Sequence, residues 1–496
     1  MMTSSKLPKK IFRGVHPLIT VDRKAPKALY QQIYDGFLGA IIRGDLRGGQ
    51  PVPSTRELAR ELRISRLPVL NAYSQLLAEG HFESRRGSGT FIAAKIPAQP
   101  ASHRQPRSKA STRKRTVSLR AVALPRFETP YWNEDLGAFQ VGQPELKSFP
   151  VHIWSRLLSR YSRELKVKAL QYGHPLGLEE LRQVLAMYLR TARGVRCEAE
   201  QVMIVTGSQQ ALDIATRVLL DPGVPVWVEE PGYWLVHRVL KAGGCRAIPV
   251  PVDSEGLNVN AGIKLQRDAR AAFVAPSHQY PLGVTMSATR RFQLLEWARM
   301  AGSWIIEDDY DSEYRYDSMP ITSLQGLDTD ARVIYTGTFS KVLFPSLRLG
   351  YIVVPPDLVE RFIAVRQAMD ICPNHFTQAV TAAFIREGHF TRHLRKMRRV
   401  YGQRRQVLIE EIERQFGSSC EVMGSAAGMH LTLLLGEKLR DREIVKRAIE
   451  SKLWLSALSL SYVGSSPRPG FVLGFGNAPE SQIPPAVLLL KKILTE

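Results

Sequence analysis

Residues 93–126, "AAKIPAQPASHRQPRSKASTRKRTVSLRAVALPR", hold nine Lys or Arg and no acid, with Pro, Ser and Ala between them. Such a stretch repels itself and offers little apolar surface to offset the entropy of ordering, so it reads as a long, largely disordered linker. No single core can run through it, and the 496-residue chain must fold as separate bodies on either side. Two readings of the segment stand: a solubilising spacer, or a spacer that also touches phosphates and adds salt-sensitive affinity.

Charge divides the chain at the same place. Of the net +22, residues 1–126 carry +17 (24 Lys+Arg against 7 Asp+Glu), and the remaining 370 carry +5 (44 against 39). A basic quarter on a near-neutral remainder suggests a polyanion-binding module joined to something else. The hydrophobic content of 44% and charged content of 23% are those of a globular protein. No apolar run approaches the roughly 18 residues of a membrane span, and no signal peptide opens the chain, so no membrane partner is expected. Cys197, Cys245, Cys372 and Cys420 lie far apart, with neither metal-knuckle nor disulfide spacing. A reducing, cytoplasmic location follows as an expectation. The organisation reads as a basic arm (1–26), a small module (27–92), the linker (93–126) and a large module (127–496).

In the small module, "KALYQQIYDGFLGAIIRGDL" spaces Leu29, Ile33, Phe37 and Ile41 by four residues, an amphipathic helix. Ser54 and Glu57 form a capping-box pattern that starts a second helix. Ser65 reads as the N-cap of a third, which carries Pro68 in its first turn and ends at Gly80. "HFESRRGSGTFI" then predicts a hairpin with Arg85 and Arg86 at its glycine-rich tip. Two helices joined by a tight turn, followed by a basic wing, match a winged helix-turn-helix that grips double-stranded DNA; a protein-binding role for the same core is the alternative. The pattern over 27–92 resembles GntR-type regulators. That resemblance implies that Ser54, Thr55, Arg56, Ser65, Arg66, Leu67, Pro68 and the wing residues Arg85 and Arg86 meet operator DNA. Pro68 stands where some relatives have threonine, so base preference does not carry over.

The large module alternates strand-like runs ("QVMIV", "VPVWV", "AAFVA", "SWIIE", "ARVIYTG") with helical patterns, predicting an α/β fold around a mainly parallel sheet. In open α/β sheets ligands sit beyond the C-terminal strand ends. There the chain places Gly207-Ser208-Gln209 at a helix start suited to phosphate, and Tyr233 as either a ring cover or a packed rim aromatic. Asp308, Asp309 and Tyr310 could bind a metal, be merely solvated, or grip a heterocycle. Lys341, flanked by Thr338, Ser340 and Arg348, lies among groups that bind a phosphate dianion, and a lysine beside such cations loses its proton more readily, as Schiff-base formation needs.

Together these describe a pyridoxal 5'-phosphate pocket without a metal. Their order resembles the fold-type I aminotransferases over roughly 130–496. The resemblance implies that Lys341 forms the internal aldimine, Asp308 pairs with the pyridine nitrogen, Tyr310 meets the ring hydroxyl and Tyr233 stacks on the ring. It further assigns the phosphate to Gly207, Ser208, Gln209, Thr338, Ser340 and Arg348, and it has Tyr172 of "YGHPLGLEELR" reach the neighbouring subunit's phosphate, which implies a homodimer. Two places depart from the aminotransferase pattern. "PSHQYPLG" has Tyr280 before Pro281 where many transaminases have Asn-Pro, and "GFVLGFG" lacks the usual strand arginine for a substrate carboxylate. His278, Tyr280 and Arg468 are the nearest effector-binding candidates.

The whole chain resembles the MocR subfamily of bacterial transcription regulators. What that implies is a DNA-binding regulator, not an enzyme, that senses pyridoxal phosphate or a small amino compound through Lys341. An active aminotransferase carrying a DNA-binding head is the rival reading. A regulator of vitamin B6 synthesis that responds to the cofactor alone is a third.

Overall fold

The computed structural model describes residues 19–94, 116–124, 137–164, 167–316, 321–436, 439–464 and 467–495. Most of the basic arm and most of the predicted linker therefore lie outside the described residues. The chain divides into two compact units, Met1–Thr116 and Val117–Glu496. The C-terminal end of the expected linker is ordered: Leu119–Val122 forms a helical turn capped by Ser118, whose hydroxyl accepts from Ala121 N.

In the first unit three helices, Leu29–Ile42, Thr55–Glu61 and Arg66–Ala78, precede a two-stranded hairpin of β1 (Phe82–Arg85) and β2 (Gly89–Ile92). Its core is closed by Phe37, Tyr73 and Phe82, which meet edge-to-face in all three pairings with ring centroids 5.1–5.6 Å apart. The capping box forms as expected: Glu57 N donates to Ser54 Oγ (3.3 Å) and Ser54 N donates to Glu57 Oε2 (2.9 Å). Ser65 occupies the N-cap of the third helix, but its hydroxyl makes no capping bond. The position is as expected, and Ser65 is exposed, so water can meet the free N–H groups in place of its hydroxyl.

The second unit is built on an eight-stranded sheet of β3 (Val202–Val205), β4 (Pro225–Glu230), β5 (Arg246–Asp253), β6 (Gly256–Leu257), β7 (Ala271–Val274), β8 (Trp304–Asp309), β9 (Val333–Thr338) and β10 (Gly350–Val353). Their order is β3-β10-β9-β8-β7-β4-β5-β6; β10 runs antiparallel to both neighbours and β6 antiparallel to β5, the rest parallel. A second, antiparallel sheet orders β11 (Glu421–Met423), β12 (His430–Leu434), β13 (Ser456–Ala457) and β14 (Gly470–Gly474) as β11-β12-β14-β13.

The uniformly apolar runs mark strands covered on both faces. Val226 and Val228 pack with Leu212 and Val239 of the helices Ser208–Leu219 and Trp234–Gly243. Trp227, between them, turns to the opposite face and stacks on Trp297 at 3.8 Å. Both indoles donate to backbone carbonyls, of Gln266 and Arg267. The central strands β7, β8 and β9 consequently run side by side and in parallel, presenting their C-terminal ends together.

Candidate cofactor pocket and nucleic-acid interface

In the first unit, the residues expected at DNA lie on the exposed side of the second and third helices and on the wing. Ser54, Arg56, Ser65, Arg66 and Leu67 are exposed; Thr55 and Pro68 are half-buried. Arg66 Nε donates to Thr55 Oγ1 (3.0 Å), which fixes the start of the third helix against the second. Arg85 is engaged within the wing, paired with Glu83 and 4.5 Å over the Phe91 ring, so it stiffens the hairpin. Arg86, at the turn itself, is exposed and has no partner among the described residues. Gly87 and Gly89 supply the positive φ angles of +79° and +107° that this tight tip needs.

In the second unit, the strand ends bring the predicted pocket residues together. Asp308 leaves β8, Thr338 leaves β9, and the Thr206-Gly207-Ser208 turn leaves β3. Asp308 shares one cavity with Glu229, Tyr233, His237, Phe273 and Ala275. Thr336 Oγ1 donates to its carboxylate at 3.3 Å. Burial pushes the Asp308 carboxyl up to about 7, opposed by the Thr336 bond and the Lys341 charge. Burial likewise pushes Glu229 up to about 8, against bonds from Ala275 N and Gln279 Nε2, and pushes His237 down to about 4.

Lys341 Nζ donates to Gly142 O at 2.8 Å. Burial lowers its pKa and nearby Arg348 adds to this, while Asp311 and Asp308 oppose it. Gly142 has φ +72°, and a Cβ there would lie 2.3 Å from Lys341 Nζ, so only glycine leaves the amine its place. The phosphate candidates also converge. Gly207, at φ +119°, caps the helix Ser208–Leu219, and a Cβ on it would fall 3.3 Å from an Arg348 guanidinium nitrogen. Arg348 itself holds a left-handed φ of +49°, a strained backbone for a side chain of this size. Ser340 N donates to Thr338 Oγ1 (3.1 Å). The hydroxyl of Ser340 and the Oε1 of Gln209 are buried and unpartnered. An unpartnered Ser340 hydroxyl beside a helix N-terminus and an arginine supplies donors that a phosphate monoester requires, and the buried Asp308 carboxyl suits a protonated ring nitrogen. These residues fit pyridoxal phosphate.

The remaining expectations divide. Tyr310 OH lies 3.1 Å from His278 Nδ1, which is 2.9 Å from Asp311 Oδ1. Tyr280 packs between Tyr233 (centroids 5.6 Å) and His430 (5.4 Å), so it walls the same site. Asp309 turns away into the core, where Arg193 Nε (2.8 Å) and Tyr335 OH (2.6 Å) both donate to its Oδ2. Arg468 is not gathered in: 62% of its side chain is exposed and it lies 3.9 Å from Glu421. Tyr172 is 84% exposed. Sequence reasoning missed Gly142, Glu229, His237, Asp311 and His430. Ligand atoms of His278, Asp311 and His430 lie within 4.8 Å of one another, a spacing a metal could use. His278 Nδ1 pairs with Asp311 and His430 Nε2 with Pro281 O (3.1 Å), while His278 Nε2 is buried without a hydrogen-bond partner among the described residues.

Comparison with known proteins matches both units. Residues 29–92 match the bacterial regulatory proteins of the gntR family, and residues 139–471 match aminotransferase class I and II, a fold that implies pyridoxal phosphate binding in the family. The chain is 38% identical over 458 residues to "Probable rhizopine catabolism regulatory protein MocR" of Rhizobium meliloti, covering 92% of each chain. It is 30% identical to the pyridoxine biosynthesis transcriptional regulator PdxR of Corynebacterium glutamicum, over 94% of this chain and 96% of that one. Among solved structures, kynurenine aminotransferase of Pyrococcus horikoshii superimposes with a TM-score of 0.70 at 28% identity, covering 76% of this chain and 96% of that one. The chain thus belongs to the MocR-type transcription regulators, in which a GntR DNA-binding domain is joined to an aminotransferase-like domain.

Proposed function

We propose that the pocket at Lys341 binds pyridoxal phosphate, and that its filling, by the cofactor alone or with a small amino compound, changes how the protein holds its operator. The observation that carries this reading is the convergence of an amine with a lowered pKa, a buried carboxyl, and an unpartnered hydroxyl beside a helix N-terminus and Arg348 around one set of strand ends. When bound, the cofactor supplies an aldehyde that an amine can capture, joined to an electron-poor ring. Lys341 presents that amine, held by Gly142 O and kept ready to lose its proton by burial. Asp308 holds the ring nitrogen's proton, and Thr336 keeps the carboxylate in place. Tyr233 covers the ring face, and Ser208, Gln209, Ser340 and Arg348 anchor the phosphate. Tyr310 meets the ring hydroxyl, its oxygen steadied by His278.

His278 and Tyr280 border the space left for an amino compound; Arg468 takes no part. Tyr172, exposed in one protomer, would complete the phosphate cradle of a partner copy, so the functional unit is a homodimer acting in the cytoplasm. The boundaries 27–92 and 127–496 define the DNA-binding and sensing domains. Ligand regulation requires that the occupied and empty states differ in free energy for the two DNA-binding arrangements.

The test compares wild type with Lys341→Ala. Borohydride reduction after adding pyridoxal phosphate should fix the cofactor on wild type only, read as added mass. Binding to DNA upstream of the protein's own gene is measured with cofactor alone and with cofactor plus candidate amines. A shift in affinity that Lys341→Ala abolishes supports the sensor. Fixation with unchanged DNA binding would refute it. A response to cofactor alone, as distinct from one needing an amine, identifies the effector.

A further inference from the structure

The turn Thr206-Gly207-Ser208, on which phosphate candidates sit, is tied to the helix Val359–Asp370 by three side chains outside that set: Gln210, Arg366 and Asp370. Gln210 Oε1 accepts from Thr206 N (2.8 Å), from Thr206 Oγ1 (3.2 Å) and from Arg366 Nη1 (2.8 Å). Its Nε2 donates to Asp370 Oδ2 (3.0 Å), and Asp370 Oδ1 lies 2.7 Å from Arg366 Nε as an ion pair. Each of the three side chains touches the other two, so the ring of contacts is closed. Arg366 Nη1 also reaches Ile204 O (3.4 Å), on the strand that enters the turn. Holding the two helices together does not need this arrangement. Phe362 already shares a buried apolar cluster with Ala211, Leu212 and Ala215. Arg366 is 0% exposed, a costly place for a charge, whereas Thr206 is exposed, so water would meet its N–H without Gln210. The carboxylate end is also fixed at a cost. Ile371, the next residue, holds φ +67° and ψ −67° while Cys372 N donates to Asp370 O (2.8 Å), a γ-turn strained for a β-branched side chain. Strain of this kind persists where the surroundings over-determine it, and it gathers at ligand clamps.

We propose that Gln210, Arg366 and Asp370 are positioning residues for the phosphate: they keep the turn Thr206-Gly207-Ser208 in the shape that receives it. This rests on the pocket being the cofactor's, as proposed above. A phosphate dianion is held best by donors whose placing is complete before it arrives, because every donor still to be ordered subtracts from the affinity. The network supplies that order from outside the pocket, through the backbone N–H of Thr206 and the carbonyl of Ile204. The reactive amine is fixed separately, by Gly142 O on Lys341 Nζ. A relaxed turn would therefore still let an aldehyde reach Lys341. What it would lose is the preference for an aldehyde that carries a phosphate.

The test uses the full-length protein with Gln210→Met and, separately, with Asp370→Ala, which changes an exposed residue and serves should the first variant fail to fold. Borohydride fixation at Lys341 is titrated with pyridoxal phosphate and with pyridoxal, which carries the aldehyde without the phosphate. Wild type should take the phosphorylated form at much the lower concentration. In each variant the half-saturating concentration of pyridoxal phosphate should rise about tenfold, the worth of one charge-assisted hydrogen bond, while that of pyridoxal stays where it is. An unchanged pyridoxal phosphate titration overturns the proposal. So does an equal loss for both ligands, which would make the network a support of the fold alone. A wild type that takes the two ligands equally refutes the phosphate assignment itself, and the proposal with it.

Discussion

Asp308 lets a stability measurement test the cofactor pocket without any assay of activity. Replacing it by Asn keeps the shape and the Thr336 contact and removes the charge. In the folded protein the carboxyl is raised from its ordinary 3.8 to about 7 by burial, so the fold favours its neutral form. A raised carboxyl costs nothing below the unfolded value; stability is lost as pH climbs from there and is fully lost above the folded value. At 1.36 kcal/mol per tenfold change in proton affinity, the whole cost is on the order of 4 kcal/mol, more than half of which falls between roughly pH 5 and 8. Asp308→Asn should therefore stabilise the cofactor-free protein, and by about 2 kcal/mol more at pH 8 than at pH 5. Urea unfolding of both proteins at the two pH values reads this directly. Glu307, also raised by burial, titrates alike in both proteins and cancels in the difference, whereas Glu229, which the Asp308 charge helps to raise, is eased in the variant and adds to its gain at high pH. Adding pyridoxal phosphate should reverse the order, because wild type then pairs its carboxylate with the ring nitrogen. A variant that gains equally at both pH values, or binds the cofactor as tightly as wild type, refutes the assignment of Asp308.

Other outcomes follow from the same geometry. Gly142→Ala would push Lys341 Nζ aside, so borohydride should fix far less cofactor while the unfolding transition stays cooperative, the amine being the free end of a flexible side chain. Ser54→Ala removes one half of the capping box and should cost about 1 kcal/mol in the first unit's unfolding, with a matching loss of DNA affinity only where that unit is partly unfolded. Phe37→Ala opens the three-ring core and should cost about 3–5 kcal/mol, abolishing DNA binding while borohydride still fixes the cofactor at Lys341.

Apolar runs bounded by turn residues made five strands of the large sheet legible, together with the loops that carry Lys341, Asp308, Tyr310 and Tyr233. Strand β5 was missed for a physical reason. "RAIPVPVD" contains Pro249 and Pro251, which argue against a central strand, yet it lies next to the sheet edge, flanked beyond only by the two-residue β6. The Asp308–Asp309–Tyr310–Asp311 run shows what local pattern leaves out. Its first acid faces the pocket, its second is taken by Arg193, and its last by His278, partners 116 and 33 residues away. Gly142 was invisible because its role is an absent side chain beside a lysine 199 residues on. Arg468 was nominated by nearness in sequence to the strand "GFVLG", whereas its side chain points to solvent.

The stacked indoles of Trp227 and Trp297 give the molecule a built-in optical asymmetry. At 3.8 Å their transitions couple, so the pair should leave an exciton signature in ultraviolet circular dichroism that vanishes only when the large sheet unravels. All seven tryptophans follow residue 126 in the sequence, so the DNA-binding head is dark to indole excitation. Tryptophan emission thus reports the aminotransferase-like half alone, and would be quenched by energy transfer to any pyridoxal bound there, while the head can be watched through whatever dye the operator carries.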